Sequence, residues 1–402
     1  SNMTIEQAEE AIQKQFKTYS LKLEGRNNLI GQIDGKDFDI HAEFDGSLED
    51  LLDSQSSFKW LGAFFKTNDL NIATMPRYDE DLLKDLVSDL PYFQDENIIR
   101  PVSAYISEYE KDKGYEIVSE VPGAQADFDI LFPAIKEAVF SLEPMVSLEE
   151  IDCYVKPKIT SEFPGIVQTA MELNKMASTE IIYEFGEDIE ILDGTQISQW
   201  LSYSDDWKVT LDEDGVKEYV DFIGKTYNTF GKTRTFRTSY GKEIKIKGGD
   251  YGWWLNRPVE VSELIELIIA GEQVKKEPVY HQRAQQYGED DIGDTYVEVN
   301  LTAQHLFFYK EGKLILDTDF VSGNLSKNYG TPTGTFGIQY KERNATLRGE
   351  DYTTPVDYWM PFYRGVGFHD ASWRKEFGKD IYKTRGSHGC INMPPKKARI
   401  MY

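Results

Sequence analysis

Apolar residues in the first two-thirds of the chain recur mostly at helical spacing, broken by short β-branched runs. Asp79-Glu80-Asp81 opens one such pattern through Leu82, Leu83, Leu86 and Val87. Asp212-Glu213-Asp214 opens another through Val216, Tyr219 and Val220. In both, an acidic first turn lies where the helix dipole favours negative charge. A turn-and-cap signal precedes each, Asp45-Gly46-Ser47 and Asp193-Gly194-Thr195. A glycine-aromatic run follows each, Gly114-Tyr115-Glu116-Ile117-Val118 and Gly252-Trp253-Trp254-Leu255. Further helical patterns come at residues 128–141 and 259–270. This order predicts two copies of one α+β module, residues 1–155 and 156–280.

Residues 275–293 lose periodicity and gather charged, Gln-rich and glycine-containing stretches, which predicts a linker centred on 281–292. Beyond it the chain alternates apolar and polar positions. Residues 295–300, 304–310 and 313–321 read as strands, with Glu311-Gly312 as a hairpin turn. Residues 336–341 and 366–369 are further strand candidates. Helix content is expected to be thin, chiefly at 372–377 and from Pro394-Pro395-Lys396 onward. The pattern predicts a multidomain chain: two α+β modules followed by an all-β barrel or sandwich over residues 293–402.

Composition narrows the function classes. The 402 residues carry 44 basic and 69 acidic side chains, a formal charge of −25. That argues against a nucleic-acid partner and against docking on anionic lipid. No apolar run approaches the roughly 18 residues of a membrane span, and the charged opening residues do not read as a signal peptide. Two cysteines cannot make a disulfide framework. Cys153 falls in Ile151-Asp152-Cys153-Tyr154-Val155, an expected strand, where a small buried apolar residue is the simplest reading.

Cys390 is different. It sits in Ser387-His388-Gly389-Cys390, with His369 upstream. A lone thiol beside a glycine, with histidines in reach, is a candidate nucleophile and base. A zinc site from His369, His388 and Cys390 would have only three ligands and no paired cysteine spacing, so no metal is expected.

His369 followed by Ser387-His388-Gly389-Cys390-Ile391-Asn392 resembles the signature of the L,D-transpeptidase family, the YkuD-type catalytic domain. Gly330-Thr331-Pro332-Thr333-Gly334-Thr335-Phe336-Gly337-Ile338 resembles that family's T-P-T-G turn and strand. Tyr352-Thr353-Thr354-Pro355-Val356 with Trp359 is similar to one wall of its substrate site. The resemblance covers residues 293–402 and implies a β-sandwich. The tandem modules resemble, at the level of pattern, the peptidoglycan-binding domain found ahead of the catalytic domain in some Gram-positive members; a spacer role is the alternative.

The resemblance implies that a Cys390 thiolate attacks a peptidoglycan stem carbonyl and forms a thioester. A histidine partner would lower the thiol pKa through an ion pair. His369 would shuttle the proton, its imidazole oriented by the backbone carbonyl of Asp370. Backbone amides of His388, Gly389 and Cys390 would face the oxyanion. Ser387 would brace the loop, Tyr352 would position the donor carbonyl, and Asn392 would shape the pocket. His388 reads as loop support more than proton transfer. The implied partners are a donor tetrapeptide stem and an acceptor amine, with carbapenem as covalent inhibitor; no cofactor is implied. The resemblance further implies an extracytoplasmic, cell-envelope location, an N-terminal membrane anchor, and a helix and strand beyond Tyr402. L,D-carboxypeptidase activity and a catalytically silent wall-binding protein remain alternatives.

Overall fold

The computed structural model describes residues 4–44, 74–349 and 352–402. It divides into two compact units, Ser1–Glu108 with Tyr115–Ala170, and Tyr109–Gly114 with Met171–Tyr402.

In the first unit, helix Ile5–Lys17 starts at a capping box formed by Thr4 and Gln7. It leads into the hairpin Ser20–Glu24 and Ile30–Asp34. Strand Met145–Ser147 then adds parallel to Ser20–Glu24. Leu21 and Leu23 alternate inward and meet Leu83 and Val87 of helix Glu80–Ser88 and Leu131 and Ile135 of helix Phe128–Phe140. Asp79 caps the first of these helices and Asp127 the second.

The second unit has a sheet of the same order. Hairpin Glu180–Phe185 and Asp188–Leu192 is joined by Gln273–Lys276, parallel to Glu180–Phe185. Helix Glu213–Tyr227, capped by Asp212, and helix Arg257–Ala270 pack with it. Asp193 caps the short helix Gly194–Ile197. The matching signal Asp45-Gly46-Ser47 lies outside the described residues.

The expected linker is tightly held. Asp291 receives Arg234 Nε at 2.6 Å and Nη2 at 2.7 Å, and both residues are buried. Arg234 also donates to the carbonyls of Lys232, Thr229 and Tyr251. A buried ion pair is tolerated only when its remaining donors find partners, as they do here. Tyr287 stacks on Trp253 at 4.0 Å, and Trp253 Nε1 donates to the Gln286 carbonyl. The polar composition that predicted a linker gives no sign of this, because the partners that bury these side chains lie far away in sequence.

The C-terminal part of this unit holds two sheets. Tyr296–Asn300, His305–Lys310 and Lys313–Asp319 form an antiparallel meander. Glu342–Arg348, Thr353–Tyr363, Val366–Asp370 and Ile391–Met393 form the other, its last pair parallel. Leu306, Leu316 and Phe320 share one core with Met360, Phe368, Ile391, Met393 and Met401.

Three local expectations differ from the structure. Residues 336–341 are not a strand: Gln339 N–H donates to the Pro361 carbonyl, and Pro361 has no N–H to return. Residues 372–377 make only a turn, closed by Arg374 N–H on the Ala371 carbonyl, and the helix comes later, at Ile381–Arg385. Residues 151–155 form no strand but a single bridge at Tyr154, because Asp152 takes a left-handed conformation at φ +51°. Cys153 is nevertheless fully buried. The last helix starts as expected, Pro395–Met401.

Gly249 bridges Thr335 in parallel, with Thr335 N–H on the Gly248 carbonyl and Asp250 N–H on the Thr335 carbonyl. A Cβ on Gly249 would meet the Thr335 carbonyl oxygen at 1.9 Å, so only glycine allows this approach. The contact joins the second α+β region to the Thr331-Pro332-Thr333-Gly334 turn.

Candidate active site

The parallel pair Val366–Asp370 and Ile391–Met393 sets His369 opposite Asn392. Cys390 immediately precedes the second of these strands. It is 8% exposed and packs with Ala345, Val356 and Trp359. Its thiol donates to the Gly365 carbonyl at 3.8 Å. The Trp359 ring also stands 6.0 Å from that of His369, so one indole borders both candidate groups. Trp373 lies 5.9 Å from the same imidazole.

His369 is 4% exposed, and its Nδ1 lies 2.8 Å from the Asp370 carbonyl oxygen. A carbonyl only accepts, so the proton belongs on Nδ1 and Nε2 keeps its lone pair. Asp370 is held in turn. Its carboxylate accepts from the amides of Asp357 and Tyr358, tying the base's strand to the neighbouring Thr353–Tyr363.

The nucleophile loop is braced from within and from a distance. Ser387 Oγ donates to the Cys390 carbonyl and accepts the Gly389 amide at 3.1 Å. The Gly389 amide is thus engaged in the resting loop and does not face an incoming oxyanion. Gly389 has φ +129°, and a Cβ there would press on Val366. Thr331 Oγ1 donates to the Gly389 carbonyl at 2.7 Å and accepts the Gly323 amide at 3.0 Å. His388 is exposed, with Tyr329 and Tyr352 rings at 4.8 and 4.6 Å. That setting suits loop support and places Tyr352 beside the loop.

Asn392 is buried, and its backbone exchanges two hydrogen bonds with Val321. Its Oδ1 has no hydrogen-bond partner among the described residues. The sequence motifs thus come together in one place. Trp373, Tyr329 and the clasp made by Thr331 had no assigned role in sequence. Thr331 stood in a recognised motif, yet its hydroxyl's partners lie in other parts of the chain.

Burial pushes the Cys390 thiol up to about 11, against a smaller opposing effect of the Gly367 amide. Burial also lowers His369, more than the Asp370 carbonyl and charge raise it. The resting pair is therefore a neutral thiol and a neutral imidazole, not the ion pair expected from a cysteine–histidine arrangement. At pH 7 about one thiol in 10⁴ is ionised. Alkylation by iodoacetamide should climb roughly tenfold per pH unit from pH 7 to 10, without an acidic plateau. A plateau below pH 7, read as the mass shift on Cys390, would restore the ion pair.

The L,D-transpeptidase catalytic domain model, YkuD, matches residues 294–402. The model described as "Putative peptidoglycan binding domain" matches residues 170–275. Among solved structures, the chain is similar to a cysteine-to-serine mutant of the Enterococcus faecium L,D-transpeptidase. Identity is 37% over 58% of this chain and 94% of that one, with a TM-score of 0.47. It is also similar to the catalytic domain of the E. faecium enzyme acylated by ertapenem, at 50% identity over 27% of this chain and 87% of that one (TM-score 0.25). An L,D-transpeptidase from Stackebrandtia nassauensis is 30% identical over 27% of this chain and 49% of that one (TM-score 0.23). No curated protein matches the chain.

Proposed function

This chain belongs to the L,D-transpeptidase family, and we propose that it makes 3→3 cross-links in peptidoglycan through a thioester on Cys390. The observation that carries this reading is the placement of Cys390 beside a strand whose His369 is buried with Nδ1 pinned to the Asp370 carbonyl. That pin leaves Nε2 to act as base.

Cys390 Sγ attacks the carbonyl of the third, L-centred residue of a tetrapeptide stem, and its proton passes to His369 Nε2. The amides of Cys390 and His388 face the developing oxyanion. His369 then protonates the departing amine, the C–N bond breaks, and terminal D-alanine leaves. The side-chain amine of a neighbouring stem next attacks the thioester and gives its proton to His369. The C–S bond breaks, and the thiolate recovers that proton. Nothing in this cycle requires a cofactor.

The second α+β region, which the peptidoglycan-binding model overlaps, would engage the wall, and the shared strand order supports reading the first unit as a diverged copy. The core common to the two C-terminal sheets supports a β-sandwich. The catalytic-domain and peptidoglycan-binding matches support a location in the cell wall, outside the cytoplasm, and a membrane anchor is a further part of the proposal. Carbapenems would acylate Cys390, as ertapenem does the E. faecium catalytic domain.

The test is incubation with purified disaccharide-tetrapeptide and, separately, disaccharide-pentapeptide, read by mass spectrometry. The expected product is a dimer lacking one D-alanine from the tetrapeptide and little from the pentapeptide. Tripeptide without dimer at any acceptor concentration would make the protein an L,D-carboxypeptidase. No change in either substrate would favour a silent wall-binding protein.

A further inference from the structure

Two arginines lie in sequence between the base and the nucleophile loop, and among the described residues neither is paired with a carboxylate. Arg374 follows Trp373, whose ring is 5.9 Å from His369. Its Nη1 donates to the carbonyl of Arg385 at 3.0 Å, and Arg385 stands two residues before Ser387. Arg374 Nε is buried and has no hydrogen-bond partner among the described residues. Three of the acids nearby are engaged elsewhere, and Glu376, two residues on, is exposed. Asp370 holds the amides of Asp357 and Tyr358, Asp380 pairs with Lys383 at 2.8 Å, and Asp319 pairs with His305 at 2.6 Å.

A half-buried guanidinium beside a like charge is costly unless an anion arrives. Burial and then the charge of Arg385 push Arg374 below its usual range. Its charge also reaches His369, as a minor contribution to the lowering there. The planar fork of an arginine suits a carboxylate better than any other anion a peptide carries.

We propose that Arg374, assisted by Arg385, binds the free C-terminal carboxylate of the donor's leaving residue. This rests on the transpeptidase reading of the same site. His369 hands its proton to the leaving amine, and in an α-amino acid only one carbon separates that nitrogen from the carboxylate, roughly 2.5 Å away. The carboxylate must therefore land close to His369, where Arg374 supplies the cation. A stem with one more residue puts a neutral amide at this place. Length selection for a tetrapeptide then follows from charge recognition, since a site built for a hydrogen-bonding group rejects the analogue lacking it.

The experiment measures acylation of Cys390 by intact mass, using disaccharide-tetrapeptide and its C-terminal carboxamide. The proteins are the full chain, Arg374→Gln and Arg374→Lys, each also titrated with iodoacetamide, which is neutral. The unsubstituted chain should take the acid roughly 10–100-fold faster than the amide. In Arg374→Gln the acid should slow by a similar factor while the amide and iodoacetamide rates hold, so the preference collapses. Arg374→Lys should keep part of it. Equal rates for acid and amide in the unsubstituted chain would overturn the subsite while leaving the acylation chemistry standing. So would a preference that survives in Arg374→Gln. A parallel fall of all three reagents in Arg374→Gln would overturn it too, leaving Arg374 a brace for the Arg385 carbonyl. If neither stem acylated Cys390, the transpeptidase reading itself would fail and take the subsite with it.

Discussion

Cys390→Ala is expected to abolish carbapenem acylation while the protein stays folded. Removal of a covalent nucleophile costs on the order of 10⁴-fold or more, because no neighbouring group can replace the bond it forms. The fold should survive. The thiol packs against Ala345, Val356 and Trp359 and makes a long contact to the Gly365 carbonyl. Trading it for a methyl group should cost about 1 kcal/mol, a few degrees of melting temperature at most. Cys153 offers a built-in control. It is fully buried, its thiol donates to the Asp127 carbonyl, and burial raises its pKa. It should stay unmodified in both proteins. Intact mass and peptide mapping after carbapenem treatment decide the matter: an adduct on the alanine variant, or one mapped to Cys153, would remove Cys390 from its proposed role.

Much of the site was legible because its parts are covalent neighbours. Ser387, His388, Gly389 and Cys390 form one loop, and His369 lies at the end of a strand whose apolar run shows in sequence. Helix starts at Asp79, Asp193 and Asp212 were equally readable, since a cap acts on amides two or three residues away. What escaped depends on partners distant along the chain. The hydroxyl of Thr331 reaches Gly389 and Gly323, and Asp291 meets Arg234 in the interior of an apparent linker. The electrostatics escaped for the same reason. A cysteine beside a histidine suggests an ion pair, yet burial of both groups favours their neutral forms, and burial is set by Trp359 and the strands around it. Residues 336–341 carry a strand's pattern, but their neighbour is a proline that cannot complete the ladder.

His369→Ala is expected to slow Cys390 acylation by roughly 10²–10⁴-fold at pH 7, the range for loss of a general base. The sign of the pH dependence follows from the two shifts. His369 is held below its ordinary value, so near neutrality it is unprotonated and ready to take the thiol proton. Cys390 is held up at about 11, so without that base almost none of it is ionised. As pH rises toward 11, hydroxide makes the thiolate directly and the histidine's advantage shrinks. The deficit of His369→Ala should therefore be greatest at pH 6–8 and fall by at least about tenfold by pH 10. Carbapenem acylation rates across that range, followed by mass, give the answer. The Asp370 carbonyl adds a second check: it fixes only the Nδ1 side, so His369→Gln, whose amide could still bond that carbonyl, should be nearly as slow as alanine. A deficit that stayed constant to pH 10 would mean the imidazole shapes the pocket without moving the proton. No deficit at pH 7 would shift the base to His388, which is exposed between Tyr329 and Tyr352.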